Sequence, residues 1–405
     1  MARRKRRETT PGAPTLPADR SAPMPAVASG GPLPADEGAA PPGMDGQGPS
    51  SLPAPALVLA LLALVMALTP AVGSPVEEML QDTLKSIVVS VLSLLAAGVQ
   101  AWDLRRRTGR VRWHAVLWLP IVLMAYALVS MAWSHTFLAG VEAIRWFLFA
   151  VLLWLALQSV TRPGFVTLAW GIHIGAVVAA LWTALQFWFD LRLFPQGPNP
   201  ASTFVNRNFL AEFMVCTLPF SAFLLVRARG TAFIALLAFT LAFDLVAILM
   251  TGTRSALMAL LVVAPVLVWG LWRWRRALGW AHWSRAEAAS AGVTLALAVA
   301  VLGSLPTGNP ELLRQVPEHG ASPISRSLSR GASVTDVQEY TERSFSMRVT
   351  MWRTTLRMIA AHPVLGVGAG AAWLLRDVIA GLIASRIPVP ATLVGTRATD
   401  SMPIG

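Results

Sequence analysis

Apolar residues gather into runs at about 53–72, 84–101, 113–133, 143–160, 165–188, 209–226, 231–250, 256–272 and 288–306. Each is near the ~20 residues that a helix needs to cross a bilayer, with the first and fourth short. The pattern predicts an all-α polytopic membrane protein of about nine transmembrane helices. The polar connections support that count. Arg105, Arg106, Arg107, Arg110 and Arg112, then Arg162, then Arg227 and Arg229, then Arg273, Arg275 and Arg276 fall in alternate connections. The others hold Glu77, Glu78 and Asp82, then Trp133-Ser134-His135, then 189–206, then Thr251-Gly252-Thr253-Arg254. Arginine excess marks the cytoplasmic side. The N-terminus is therefore expected in the cytoplasm, and the chain from about 307 onward starts outside.

Residues 1–52 are rich in Pro, Gly, Ala and Ser behind Arg3-Arg4-Lys5-Arg6-Arg7. Such a segment buries too little apolar surface to fold and is expected to be a disordered cytoplasmic tail. Its basic run reads as a topology determinant. No apolar run follows it directly, so it does not read as a cleaved secretory signal. Past the last span, 307–345 is polar and reads as a loop or flexible lid. Then Arg348, Trp352, Leu356 and Ile359 recur at i, i+4, i+8 and i+11, one face of a helix that Pro363 and the following glycines end. Arg353 and Arg357 lie on another face. Residues 307–370 are thus expected to be an outer segment with a short amphipathic helix. The tail 371–405 is atypical, because Arg376-Asp377 interrupts its best apolar run and argues against a tenth span.

Composition fits this layout. The chain of 405 residues is 55% hydrophobic and 13% charged, about half the charged fraction of soluble domains. Its net charge of +12 is scattered between apolar runs, which makes nucleic acid a poor partner. One cysteine, Cys216, excludes an internal disulfide and a cysteine metal cluster; its apolar surroundings predict a buried, inert thiol. His114, His135, His173, His282, His319 and His362 have no metal-ligand spacing, and no glycine-rich phosphate loop or nucleophile elbow is present. No metal or cofactor is expected.

Three polar groups meet the predicted outer boundary. The first is Asn206-Arg207-Asn208 with Glu212, which lies at i+4 from Asn208 and on its face. The second is Thr251-Gly252-Thr253-Arg254-Ser255. The third is Arg348 with its helix. Charge at membrane depth is costly unless paired or solvated. Arg254 alone could be an interfacial arginine reaching headgroups, Glu212 a packing salt bridge, and Asp244 a partner for an arginine. Three groups at one level point instead to a site, and arginines suit a phosphate or diphosphate because the fork is planar, charged and bidentate.

Asn206-Arg207-Asn208-Phe209-Leu210-Ala211-Glu212, Thr251-Gly252-Thr253-Arg254-Ser255-Ala256, and Arg348 through Trp352 to His362-Pro363-Val364-Leu365-Gly366-Val367-Gly368 follow one another in this chain. In that order and spacing they resemble the bacterial O-antigen ligase and polymerase family of polytopic glycosyltransferases, over about 113–370. The resemblance implies a helical fold in the bacterial inner membrane. It implies transfer of glycan from an undecaprenyl diphosphate donor to an acceptor at the periplasmic face, without nucleotide sugar or metal. The acceptor would be lipid A core, a growing glycan or a protein. Arg254 and Arg348 would hold the diphosphate and stabilise it as leaving group, with Asn206, Arg207, Asn208, Glu212 and Trp352 lining the substrate site.

Family members continue to a periplasmic His-Asn motif and further spans. No His-Asn pair occurs here, so the chain reads as truncated or frame-shifted near residue 370, with impaired activity. Two other classes fit parts of the pattern. A lipid-linked oligosaccharide flippase or transporter should show internal repeats or broken helices at the midplane. A non-catalytic envelope assembly protein should lack the histidine.

Overall fold

A computed structural model describes residues 54–75, 81–107, 111, 113–134, 138–194, 197–332 and 345–369. The terminal segments 1–52 and 371–405 lie outside them. Among the described residues all regular structure is helical. In hydrocarbon a lone crossing segment must satisfy every backbone group internally, which a helix does. The order is α1 (Ala54–Leu68), α2 (Gln81–Arg107), a 3₁₀ turn at Ala115–Leu117, α3 (Trp118–Ser130), α4 (Leu138–Ser159) and α5 (Gly164–Phe189). It continues with α6 (Arg207–Arg227), α7 (Thr231–Thr251), α8 (Arg254–Arg273), α9 (Arg275–Leu278) and α10 (Arg285–Ser304).

Seven of these, α2, α4, α5, α6, α7, α8 and α10, are long and apolar enough to cross a membrane, and α1 and α3 are shorter apolar helices. The molecule is an integral membrane protein. The third apolar helix, not the fourth, is short. Glu142 and Arg145 interrupt the apolar run of α4 but pair with each other at 2.6 Å, so the helix starts before them at Leu138. The third run instead spends its start on the 3₁₀ turn, which His114 caps by accepting from the Val116 N–H at 3.2 Å.

Helices α5, α6 and α7 form the centre, packed through Ala169, Ala176, Ala180, Leu210, Met214, Leu218, Ile234 and Leu237. α1 leans on α5, with α2 and α4 beside it; α10 packs along α7, and α8 along α6. The α1–α5 approach depends on two glycines one turn apart. A Cβ on Gly171 would lie 2.6 Å from the Ala63 Cα, and one on Gly175 2.8 Å from the Pro70 ring. Small residues at this spacing let membrane helices touch backbone to backbone.

A polar chain threads the central three helices. His173 Nδ1 lies 2.8 Å from Ser221 Oγ, which lies 3.2 Å from Asp244 Oδ2, and Thr240 Oγ1 lies 3.2 Å from His173 Nε2. Asp244 is therefore not an arginine's partner, as expected from sequence; Ser221 holds it. The sequence could not show this, because the partners come from α5 and α6, 71 and 23 residues away.

The connections fall into two sets. At one end Arg229 donates to the Gly279 carbonyl at 2.9 Å, the Gly230 N–H to Glu287 at 2.8 Å and Trp283 to the Ala228 carbonyl at 3.2 Å. Residues 69–75, 197–208, 249–254 and 305–327 lie at the other. There the segment expected to be a loop or lid is folded as far as residue 332. It forms α11 (Pro310–Leu313), α12 (Val316–His319) and α13 (Pro323–Ala332). Thr307 donates to the Phe187 carbonyl at 2.6 Å, Asn309 donates to that of Gln186 at 3.1 Å and Leu312 is buried. α13 rests on α7, α8 and α10. The last described helix is α14 (Phe345–Ala361). The turn after it docks on the C-terminal end of α3: Tyr126 donates to the Leu365 carbonyl at 2.9 Å and the Ala369 N–H to Ser130 at 3.0 Å.

Candidate anion site at the converging ends of α6, α7 and α8

Arg207 and Arg254 open their helices, each the first residue after a cap. Asn206 caps α6, its side-chain oxygen accepting from the Asn208 N–H at 2.9 Å. Thr253 precedes α8 after Gly252, whose φ of +58° makes the tight turn from α7. Thr251 ties that turn down, donating to the Ile248 carbonyl at 2.7 Å and accepting from the Thr253 N–H at 3.3 Å.

The chain before Arg207 is fixed from several sides. Gln186, buried near the end of α5, accepts from the Ala201 and Ser202 N–H groups at 3.0 and 2.7 Å and donates to the Ser202 carbonyl at 3.0 Å. Thr203 donates to the Pro70 carbonyl at 2.8 Å, and Lys85 reaches Thr203 Oγ1 at 2.7 Å and the Thr69 carbonyl at 3.0 Å. Against this frame Ser202 and Val205 hold φ values of +54° and +61°. Such angles are rare for a β-branched residue and persist where the surroundings over-determine them.

Two helix N-termini thus present an arginine each, and the two positive charges act on one another. A third arginine joins them. Arg326 of α13 is fully buried and feels the Arg207 charge. Burial, and then Arg207, push its guanidinium below the ordinary arginine value. Its Nη2 donates to Asn199 Oδ1 at 3.0 Å and to Gln315 Oε1 at 3.4 Å. Among the described residues its Nε and Nη1, and the Nη1 of Arg207, meet no acceptor, and no carboxylate pairs with either arginine. Buried cations are ordinarily paired, because an unpaired one costs several kcal/mol on the order of the Born penalty after relaxation. First-turn N–H groups and helix dipoles add to the positive field. The arrangement suits a multivalent anion.

The other expected site residues divide. Asn208 and Glu212 are exposed on one face of α6, the face continued by Cys216. Cys216 is not buried as expected, because a membrane helix is apolar all round and composition does not reveal which side packs. Trp352 is exposed on α14 with Leu356 and Ile359. The Arg348 backbone belongs to α14, and its side chain lies outside the described residues. Arg326 escaped sequence reading. Its signal is modest: Ser322-Pro323 as a helix start, then Arg326 and Arg330 at i and i+4 opposite Leu328. Among the described residues no three His, Cys, Asp or Glu side chains come together to hold a metal ion.

These features define a polytopic helical membrane protein with an arginine-rich site at one membrane face. Residues 237–387 match the family described as O-antigen ligase. The match covers Arg254, Arg326 and Arg348. It starts later than the resemblance read from the motifs and runs past residue 370, where that reading ended. No curated protein and no solved structure matches the chain. The match supports, at the level of the family, a membrane glycosyltransferase of the O-antigen ligase or polymerase type.

Proposed function

We propose that the protein transfers glycan from an undecaprenyl diphosphate carrier to an acceptor at the periplasmic face of the bacterial inner membrane, with its N-terminus in the cytoplasm. The observation that carries this reading is the placement of Arg207 and Arg254 at the N-termini of α6 and α8, two helices that pack together. Negative charge develops on the diphosphate as the glycosyl carbon–oxygen bond breaks, and preorganised cations stabilise it there. Arg254 and Arg348 are assigned to the diphosphate, with Arg207, Asn206 and Asn208 beside them. Glu212 and Trp352 line the approach of lipid and glycan. The acceptor is lipid A core, a growing glycan or a protein, each offering a hydroxyl or comparable nucleophile.

The test uses the full chain in lipid nanodiscs with an undecaprenyl-diphosphate-linked oligosaccharide. Arg254→Ala should weaken donor binding at least tenfold, as expected for loss of a charge-assisted hydrogen bond of about 1.5–3 kcal/mol. Arg254→Lys should not restore it, since a point charge lacks the fork. Equal donor binding by wild type and Arg254→Ala would sink the assignment.

A further inference from the structure

We propose that Arg326 is a third diphosphate-binding residue of this site, and that it makes the site select a lipid diphosphate over a lipid monophosphate. The inference rests on the donor reading above and goes beyond its residues. Arg326 comes from α13, outside all the motifs that suggested the site, yet α13 lies across α7, α8 and α10 and brings it within range of the Arg207 charge. Its side chain has no exposed surface. Among the described residues it is held by neutral groups, through Nη2, to Asn199 and Gln315. Those two amides fix the plane of the fork and leave Nε and Nη1 without an acceptor among the described residues. A guanidinium kept for packing would pair with a carboxylate or hydrogen-bond through all its edges. This one presents an open edge, and a second cation whose charge reaches it, Arg207, also has an Nη1 without an acceptor among the described residues. Two forks within electrostatic range of one another match two linked phosphoryl groups better than one.

Charge bookkeeping of the reaction strengthens the assignment. In the transfer the glycosyl carbon–oxygen bond breaks and a bond to the acceptor hydroxyl forms. The hydroxyl proton passes to solvent, and the electron pair stays on the terminal phosphate oxygen. The departing lipid diphosphate therefore carries more negative charge than the donor. A third arginine places a matching charge where that excess appears.

The probes are undecaprenyl diphosphate, undecaprenyl phosphate and inorganic pyrophosphate, each titrated onto the full chain in nanodiscs and read as binding affinity and melting temperature. Wild type should bind undecaprenyl diphosphate most tightly. Arg326→Met should melt no lower than wild type without lipid, because it removes a buried charge at similar volume. It should bind undecaprenyl diphosphate about ten- to a hundredfold more weakly. Its loss for undecaprenyl phosphate should stay below about threefold, since one phosphoryl group keeps its contacts to the remaining arginines. Arg326→Lys should stay weak for the diphosphate. An Arg326→Met protein that fails to fold, or melts lower and binds the diphosphate as wild type does, would show a packing residue and overturn the proposal. Equal losses for both lipids would overturn the selectivity. Inorganic pyrophosphate binding as tightly as the lipid would assign the cluster to a free anion instead. Failure of wild type to bind either lipid would overturn the donor reading itself.

Discussion

Gly171→Ala adds one methyl group where α5 meets the backbone of α1. The added carbon would stand 2.6 Å from the Ala63 Cα and 2.7 Å from its carbonyl carbon, and closer still to the carbonyl oxygen. Ordinary contacts begin at 3.4 Å, so the backbone of α1 would have to move by about 0.8 Å or more. Backbone cannot rotate away as a side chain can, and over-packing of this kind costs about 1–3 kcal/mol. For a chain of this size that is a fall of roughly 1–4 °C in melting temperature. The displacement also reaches the site. The end of α1 supplies the Thr69 and Pro70 carbonyls that hold Lys85 and Thr203, shortly before Arg207. Thermal unfolding in nanodiscs with and without donor lipid reads both effects. Gly98→Ala is the control: nothing lies within 4 Å of its added carbon, and helix propensity should make it neutral or stabilising by up to about 1 kcal/mol. A Gly171→Ala protein that melts within a degree of wild type, or a Gly98→Ala protein that falls as far, would refute the reasoning.

Ser221→Ala removes the hydroxyl between His173 and Asp244, and should destabilise by about 1–3 kcal/mol because two buried polar groups lose their partner. An unchanged melting temperature would show that the chain of contacts contributes nothing. Val205→Gly relieves a β-branched residue at φ +61°, and should raise the melting temperature by up to about 1 kcal/mol of stability while weakening donor affinity as Arg207 loosens; a lower melting temperature would contradict it. In intact cells with Cys216 replaced, Gly197→Cys should react with an impermeant thiol reagent and Arg275→Cys should not. The reverse pattern would invert the proposed orientation.

The helical architecture was legible because a membrane leaves few choices: apolar length and arginine asymmetry report spans directly. Packing was not, since lipid and protein neighbours are equally apolar. That is why Cys216 read as buried and proved exposed, and why Gly171 and Gly175 drew no notice. The arginines at helix starts were legible for a different reason. Arg207 and Arg254 interrupt apolar runs, so their cost is visible in one dimension. Arg326 lies in a polar stretch where arginine carries no penalty. Only the folding of α11, α12 and α13 onto the bundle makes it a buried charge. Asp244 shows the same limit, because its Ser221 and His173 partners belong to other helices.

Helix α8 carries Arg254 yet, among the described residues, most of its apolar surface is exposed and its main contacts are with α6, α9 and α13. Its 20 residues span ~30 Å, close to the hydrocarbon thickness itself. With so few helix neighbours to fix it, its tilt is expected to respond to bilayer thickness more than that of the central helices. In a thinner bilayer α8 should lean about the glycine turn at Gly252 and carry Arg254 away from Arg207. Acyl-chain length then becomes a control on the site that no change in donor or acceptor could mimic. Donor affinity should pass through a maximum as nanodisc lipids are lengthened two carbons at a time.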